Sequence, residues 1–531
     1  MPGGGFYAFV TYGAQNVLLS ANPHMTYFYK VFRKYTHFSE ESFTIAVDGP
    51  NTLSWDKPIQ IRAKLQRYAD LVRDLYFVFT LPDIYSKYVD ITNNILPNRA
   101  QYEFAWSKYI GCRLIENIAI FIGGQKIQEF DGSYLVARAN LDLDEDSLNK
   151  WENLVGHVPE LYDPANSPTA AVGSAGTIQG RYPTVMSDLN NTGAQLNRPS
   201  IFGRDIYVPI PFWCTEDPSL SLPLCALQLQ EVEIQLTLRS VQELYTILDP
   251  SGYRVTPGLY MNASVSQYQL GLPNYIEDTG RYNQTVNNWY IQNFLVDIGY
   301  SPPTLNTIPY NPRILATYVY LSDEERKTFA TTQLQYLVYQ VTAVPKSIYT
   351  REYLQLEIHN PITRLIVIPR RSDAIPSRNN EYNWTNWVTD ISPSIQTPRS
   401  PAPPGLPSSG LLIPRGQQDI IQGLSVICDG TVIQDERRAE YFRKLVPYKY
   451  YKATNRTNSL PYPFSIKQSS VQPSGSINAS RIRNFQVDLN VYPLPFNATN
   501  NYQYVYDITV YVESINWVLI QNGTGGLKYA L

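Results

Sequence analysis

The stretch Ala119-Ile-Phe-Ile-Gly-Gly-Gln-Lys-Ile-Gln-Glu129 returns in related form as Ser425-Val-Ile-Cys-Asp-Gly-Thr-Val-Ile-Gln-Asp435. Each copy has a run of strand-forming residues, a glycine turn and the start of a second strand, which is the pattern of a tight β-hairpin. The two copies align at a constant offset of 306 residues, with Gly124 on Gly430. The repeat therefore predicts two related β domains in tandem within one chain.

Length and composition agree with a folded chain of more than one domain. At 531 residues the chain is too long for a single hydrophobic core. Its 44% hydrophobic and 17% charged residues are typical of a globular protein. The 39 prolines and 29 glycines are spread along the chain, as in proteins made of many short strands joined by turns.

Charge and residue counts argue against several function classes. The formal net charge is −3 and no block of Lys or Arg stands out, so we expect no direct binding of nucleic acid. The four cysteines lack metal-ligand spacing and the four histidines are far apart, so we expect neither a zinc site nor another cofactor. No apolar run approaches 18 residues, so no transmembrane helix is predicted.

The order of patterns along the chain suggests four segments. Residues 1–24 form an N-terminal arm, 25–240 a first β domain, 241–311 a turn-rich junction, and 312–531 a second β domain. Strands dominate without regular alternation with helices, which predicts an all-β protein of two antiparallel sandwiches. We expect short decorating helices, one at 142–156 and one after a capping box at Ser322–Glu325. Long surface loops are expected at 157–203 and 371–419.

Six motifs in order along the chain resemble the major capsid proteins of large icosahedral double-stranded DNA viruses, the phycodnavirus, mimivirus and marseillevirus branches above all. They lie at Tyr12–Phe38, Ile115–Ile127, Val208–Leu227, Tyr318–Phe329, Gln472–Ile482 and Gly525–Tyr529.

This resemblance implies a tandem double jelly roll, meaning two eight-stranded antiparallel β-sandwiches, and a structural, non-enzymatic function. In that family three copies form a pseudo-hexagonal capsomer that tiles an icosahedral shell. The implied partners are further copies of the chain, minor capsid proteins at the inner face and, indirectly, an inner membrane layer. The implied location is the virion shell, assembled in the host cytoplasm.

Two other functions stay open on the residues alone. Tandem β-sandwiches also occur in carbohydrate-binding and host-attachment proteins. A glycoside hydrolase needs two facing carboxylates about 5–10 Å apart, and no carboxylate spacing in this sequence indicates such a pair. We therefore name no catalytic, cofactor-binding or metal-binding residue.

Eight Asn-x-Ser/Thr sequons are candidate glycosylation sites. Asn190 and Asn383 are favoured because both fall in the predicted long loops. Asn478 is disfavoured because it lies inside a family motif, and Asn522 is the eighth sequon. The other candidates are Asn262, Asn283, Asn455 and Asn497.

Overall fold

The computed structural model describes residues 3–24, 32–85, 88–89, 101–102, 104–165, 182–183, 199–248, 254–257, 259–262, 274–277, 290–296, 301–387, 418–468, 472–493 and 504–529. The chain divides into two compact units, residues 1–39 and residues 40–531. The first unit contains helices α1 (Gly4–Val10) and α2 (Ala14–Ser20), separated by three residues that include Gly13. Neither helix has a buried residue.

Eight main strands form the first pair of sheets, and the two-residue strand Leu222–Pro223 adds to one of them. In chain order they are β1 (Ser39–Ala46), β2 (Ile59–Leu65), β3 (Leu71–Leu81), β4 (Ile115–Ile122), β5 (Gln125–Phe130), β6 (Arg204–Pro209), β7 (Val232–Leu238) and β8 (Arg313–Tyr320). One sheet has the order β1-β8-β3-β6 and the other has the order β2-β7-β4-β5. The two sheets pack their apolar faces together, since Val232, Ile234, Leu236 and Leu238 alternate inward along β7.

Eight further strands repeat this arrangement. They are β9 (Leu334–Ile348), β10 (Glu352–Gln355), β11 (Pro361–Arg371), β12 (Ile421–Cys428), β13 (Thr431–Arg438), β14 (Leu460–Pro463), β15 (Phe485–Val491) and β16 (Tyr506–Gln521). Their sheets have the orders β9-β16-β11-β14 and β10-β15-β12-β13. Adding eight to each strand label of the first set reproduces the second set, so the predicted double jelly roll is confirmed.

The repeated sequence forms equivalent hairpins, β4–β5 and β12–β13. Each turn has two consecutive residues with positive φ: Gly123 (55°) and Gly124 (82°) in one, Asp429 (48°) and Gly430 (78°) in the other. Two-residue turns of this kind match the right-handed twist of the flanking strands, and they favour Gly, Asn and Asp because those residues tolerate positive φ. Both hairpins hold the same position in their sheets, as the repeat predicts.

Short helices decorate the two jelly rolls. They are α3 (Ile110–Leu114), α4 (Gly132–Asp142), α5 (Glu145–Leu154), α6 (Pro159–Tyr162), α7 (Trp213–Glu216), α8 (Asp323–Thr331), α9 (Ala374–Arg378) and α10 (Val446–Tyr450), with a π-helical turn at Tyr441–Leu445 and 3₁₀ turns at Pro218–Leu220, Val241–Glu243, Ile291–Phe294 and Ala479–Arg481.

Short strands complete the described elements. They are Thr52–Leu53, Tyr88–Val89, Gln101–Tyr102, Phe104–Trp106, Pro164–Ala165, Tyr182–Pro183, Leu222–Pro223, Tyr245–Leu248, Arg254–Val255, Leu259–Asn262, Asn274–Glu277, Ile308–Pro309, Ile477–Asn478 and Thr524–Leu527.

The predicted start of the second domain at residue 312 is wrong. Strand β8 pairs with β3 of the first set, with Ile314 opposite Phe77. The turn-rich segment 241–311 therefore lies before the last strand of the first jelly roll and not between the two rolls. A jelly roll closes only when its last strand returns beside its first, and no local pattern reports that return. Helix α8 (Asp323–Thr331) then leads into β9.

The helix predictions need two corrections. The expected helix at 142–156 is α5 at Glu145–Leu154, and Asp142 instead ends α4. Helix α4 was not predicted because it is buried on nearly all sides and lacks an amphipathic pattern. Ser322 does precede α8, but its hydroxyl donates to the Glu325 carboxylate at 3.4 Å and makes no capping bond to the backbone.

Candidate functional site at the interface between the two jelly rolls

Strand β5 of the first jelly roll lies along strand β9 of the second, and amide side chains join them. Gln128 Nε2 donates to the Tyr339 carbonyl at 2.7 Å, and Gln340 Nε2 donates to the Ile127 carbonyl at 3.2 Å. The side-chain Oε1 of Gln128 also accepts from the backbone N–H of Trp213 at 2.9 Å. These bonds give partners to backbone groups of Ile127, Tyr339 and Trp213 at the interface between the rolls.

A buried ion cluster, which we call the α4 cluster, joins helix α4 to the second jelly roll. Arg364 on β11 donates both terminal nitrogens to Asp142, at 2.6 and 2.8 Å, and also contacts Glu513 on β16 at 2.6 Å. Tyr134 on α4 donates its hydroxyl to the same Glu513 at 2.6 Å. The two-pronged arginine contact fixes both distance and orientation between the rolls.

The α4 cluster borders a cavity of about 360 Å³ between the rolls. Arg138 donates to Glu216 at 2.6 Å beside this cavity. Burial raises the pKa of the Glu216 carboxyl, although the nearby Arg138 guanidinium opposes that effect. Burial raises the pKa of Tyr134 well above its ordinary value, so its hydroxyl keeps the proton that it donates. Paired charges therefore form one part of the cavity wall, beside apolar residues such as Phe130 and Ile210.

A second buried cluster, which we call the Glu381 cluster, lies at another part of the interface. Glu381 of the second jelly roll accepts from Ser133 at 2.7 Å and Arg239 at 3.2 Å, and it forms an ion pair with the fully buried Arg113. Burial acts to raise the pKa of Glu381, but the guanidinium charges of Arg113 and Arg239 outweigh it and lower the pKa to about 2. The carboxylate is therefore ionised at neutral pH.

The segment that carries Glu381 docks into the first jelly roll. Asn379 adopts a left-handed backbone conformation with a φ of 49°. Its amide nitrogen donates to the carbonyls of Gln242 at 2.6 Å and Tyr245 at 2.8 Å. The prediction of an exposed loop across 371–419 is thus wrong for residues 371–387. Polar side chains that suggest a loop in the sequence, such as Asn379, are here buried and hydrogen-bonded to the first roll. Residues 388–417 lie outside the described part of the chain.

Burial separates the candidate glycosylation residues. Asn383 is only 1% exposed, and its amide donates to the Trp387 carbonyl at 3.0 Å. The premise that favoured Asn383, an exposed loop, is therefore wrong. Asn455 is half-buried and its amide donates to the Ser459 carbonyl at 2.8 Å, whereas Asn478 and Asn522 are exposed. Asn262 ends a short strand. Asn190, Asn283 and Asn497 lie outside the described residues and stay predictions.

The described residues include no group of three or more His, Cys, Asp or Glu placed to hold a metal ion. None of the described helices is long and apolar enough to cross a membrane. The carboxylates beside the cavity are held by arginines: Asp142 by Arg364 and Glu216 by Arg138. This arrangement joins the two jelly rolls.

Sequence reasoning missed the residues of both clusters. Asp142 enters the sequence analysis only as the first residue of the helix predicted at 142–156, and no sequence pattern singles out Arg113, Glu381 or Glu513. One signal was present: Arg364 interrupts the apolar run Pro361–Ile368 in the middle of a strand. An arginine at such a position is buried and requires a carboxylate partner, but the sequence does not identify that partner.

Comparison with known proteins agrees with this architecture. The family described as "Major capsid protein N-terminus" matches residues 26–276, and the family described as "Large eukaryotic DNA virus major capsid protein" matches residues 325–526. The major capsid protein of Chrysochromulina ericina virus is 24% identical, over 99% of this chain and 100% of that protein. Probable capsid protein 4 of Acanthamoeba polyphaga mimivirus is 23% identical, over 99% of each chain.

Solved structures share the fold. The chain in the quasi-atomic structure of the PBCV-1 virus capsid matches with a TM-score of 0.61 and 19% identity, covering 95% of this chain and 100% of that chain. The Faustovirus major capsid protein matches with a TM-score of 0.59 and 14% identity, covering 96% and 94%. The duplicated strand order, the two adjoining family matches and these full-length likenesses agree, and the chain belongs to the major capsid proteins of large icosahedral double-stranded DNA viruses, as a double-jelly-roll component of the virion shell.

Proposed function

We propose that three copies of this chain assemble into a pseudo-hexagonal capsomer, and that the protein is purely structural, without enzymatic activity. The observation that carries the proposal is the identical strand order of the two jelly rolls within one compact unit. Three such chains supply six similar wedges around one axis. A closed rotational assembly is finite, and a ring with six nearly equivalent sides packs a flat facet with few kinds of contact.

The buried clusters support this proposal because a tiling unit must keep a constant shape. Paired charges at two separate places, together with the amide contacts of Gln128 and Gln340, hold the rolls in one arrangement. A ligand-binding protein of two sandwiches needs no such fixed angle between its domains. The interface therefore favours the shell function over the carbohydrate-binding or attachment function.

Light scattering on the purified full-length chain tests the capsomer. We expect the mass of three chains at micromolar concentration, and hexagonal particles by electron microscopy. A chain that stays monomeric and binds sugars with millimolar affinity contradicts the proposal and favours the attachment protein.

We further propose that the N-terminal arm binds minor capsid proteins or neighbouring capsomers at the inner face of the shell. Its helices expose large apolar side chains, and Leu19 is 90% exposed. The other exposed apolar residues are Phe6, Tyr7, Phe9, Val10, Val17 and Leu18. Helices of seven residues are too short to be stable alone in water, so a partner surface is needed to hold them.

Deletion of residues 2–20 tests the role of the arm. We expect a trimer whose melting temperature is within about 2 °C of the intact chain, because the deletion removes no residue of either jelly roll. Assembly into shells, followed by electron microscopy with minor capsid proteins present, should be impaired. Loss of the trimer or of most thermal stability on deletion would show that the arm belongs to the fold.

A further inference from the structure

We infer that a second copy of the chain docks on the outer face of the β1-β8-β3 sheet through residues 435–452, and that charge selects this contact. The inference rests on the proposed trimer and specifies its contact surfaces. We call Glu40, Glu41 and Asp74 the acidic face and residues 435–452 the basic segment. The contact between the two rolls inside one chain is the template for the contact between chains.

The first step is the equivalence of the two sheets. On β11, Arg364 pairs with Glu513 of β16, and the register of the ladder shifts between Ile362 and Arg364. On β3, Asp74 pairs with Thr317 of β8, with a shift at the same place in the ladder. Since the strand orders also agree, Asp74 holds in the first roll the position that Arg364 holds in the second.

The second step is a difference in burial between identical residues. Ile127 on β5 is 1% exposed because the second roll covers it, whereas Ile433 on the equivalent strand β13 is 43% exposed. After β5, helix α4 is buried along nearly its whole length. After β13, the helical residues expose Leu445 and Tyr448, the latter at 85%. An edge strand and apolar helix of this kind require a cover, and the matching cover is the first roll of another copy.

The third step is charge. The basic segment has six basic and three acidic residues, and Arg437, Arg438, Lys444 and Lys449 are all exposed. The acidic face opposes it: Glu40 and Glu41 are exposed and Asp74 is half-buried. Arg73 pairs with Glu40 at 2.7 Å and with Asp74 at 3.7 Å, so the three carboxylates and this arginine together keep an excess of negative charge. Inside the chain the polarity is reversed, because Arg364 of the sheet meets Asp142 of helix α4. The contact between chains therefore repeats the internal contact with its charges exchanged.

This exchange gives each contact only one correct partner. Two incorrect pairings are conceivable. In one, the basic segment lies on the sheet of the second roll and meets Arg364. In the other, helix α4 lies on the sheet of the first roll and brings Asp142 toward Asp74. Both wrong pairings place like charges together, which costs several kcal/mol and excludes them. First and second rolls must then alternate around the assembly. Head-to-tail contacts between successive chains of this kind generate a closed ring.

Charge reversal on each side tests the inference. The face variant carries Glu41→Lys and Asp74→Lys, the segment variant carries Lys444→Glu and Lys449→Glu, and the swapped variant carries all four. Lys150→Glu on α5 and Glu357→Lys, both at exposed positions, serve as matched controls. The readout is the dissociation constant of the full-length trimer by sedimentation at 0.15 M salt, with a melting curve for each variant.

We expect the face and segment variants each to weaken the trimer by about tenfold or more, and the swapped variant to recover most of that loss. Both controls should match the unaltered chain. If the swapped variant is as weak as either one-sided variant, or if the one-sided variants trimerise normally, the docking inference is overturned while the trimer stands. If the unaltered chain does not trimerise, the proposed function fails together with the inference.

Discussion

Replacing Glu381 with alanine is expected to lower the free energy of unfolding by about 3–5 kcal/mol. The substitution removes the buried carboxylate between Arg113 and Arg239 and leaves them only the more exposed Glu243, at 3.6 and 3.3 Å. Most of their buried charge then lacks compensation, which is costly. Urea denaturation of the full-length protein, followed by tryptophan fluorescence and circular dichroism, measures the change.

The control for this prediction is Glu357→Ala, an exposed glutamate of the same jelly roll. Surface substitutions of this kind change stability by about 0.5 kcal/mol or less. A loss of about 1 kcal/mol or less for Glu381→Ala would show that the cluster does not stabilise the interface.

The same cluster makes stability depend on pH. The pKa of Glu381 is about 2 in the folded protein against an ordinary 4.5, so folding favours its ionised form. The resulting stabilisation is fully present above about pH 4.5 and is lost as the pH falls through about 2. We expect the stability difference between the unaltered chain and Glu381→Gln to be constant from pH 7 to 5 and to shrink in more acidic solution. A difference that grows on acidification would contradict this sign.

Replacing Arg364 with leucine is expected to cost a similar 3–5 kcal/mol. The leucine leaves Asp142 and Glu513 facing each other across the interface without the guanidinium that joins them. Neutralising both acids in the triple variant Arg364→Leu, Asp142→Asn, Glu513→Gln should recover part of the loss, because the remaining groups carry no charge. The same denaturation experiment measures each variant.

Arg481→Leu, at an exposed position of the second roll, is the matched control and should change stability by about 0.5 kcal/mol or less. A triple variant no more stable than Arg364→Leu alone would mean that the lost stability comes from packing of the arginine stem and not from the charge. Equal stability of Arg364→Leu and the unaltered chain would exclude the α4 cluster as a link between the rolls.

Local signals in the sequence predicted the elements well where the cause of the structure is local. The glycine turns of the two hairpins were predicted because positive φ at consecutive residues restricts the choice of amino acid. Strand β7 was predicted because one face is buried and the other is not, so its residues alternate. Helix α4 escaped notice because burial on nearly all sides leaves no such contrast.

The sequence by itself determined that the chain is all-β, that it is duplicated and which strands open each hairpin, because these depend on neighbours along the chain. Only the tertiary structure decided that β8 closes the first roll, that residues 371–387 anchor the second roll in the first, and that Glu381 meets Arg113. The hairpin repeat illustrates the difference most directly. Ile127 and Ile433 occupy the same place in the same local sequence, yet one is buried and the other exposed. Their environments differ because burial depends on what the fold brings against a strand. For Ile127 that partner is the second roll, where Gln340 lies hundreds of residues away along the chain.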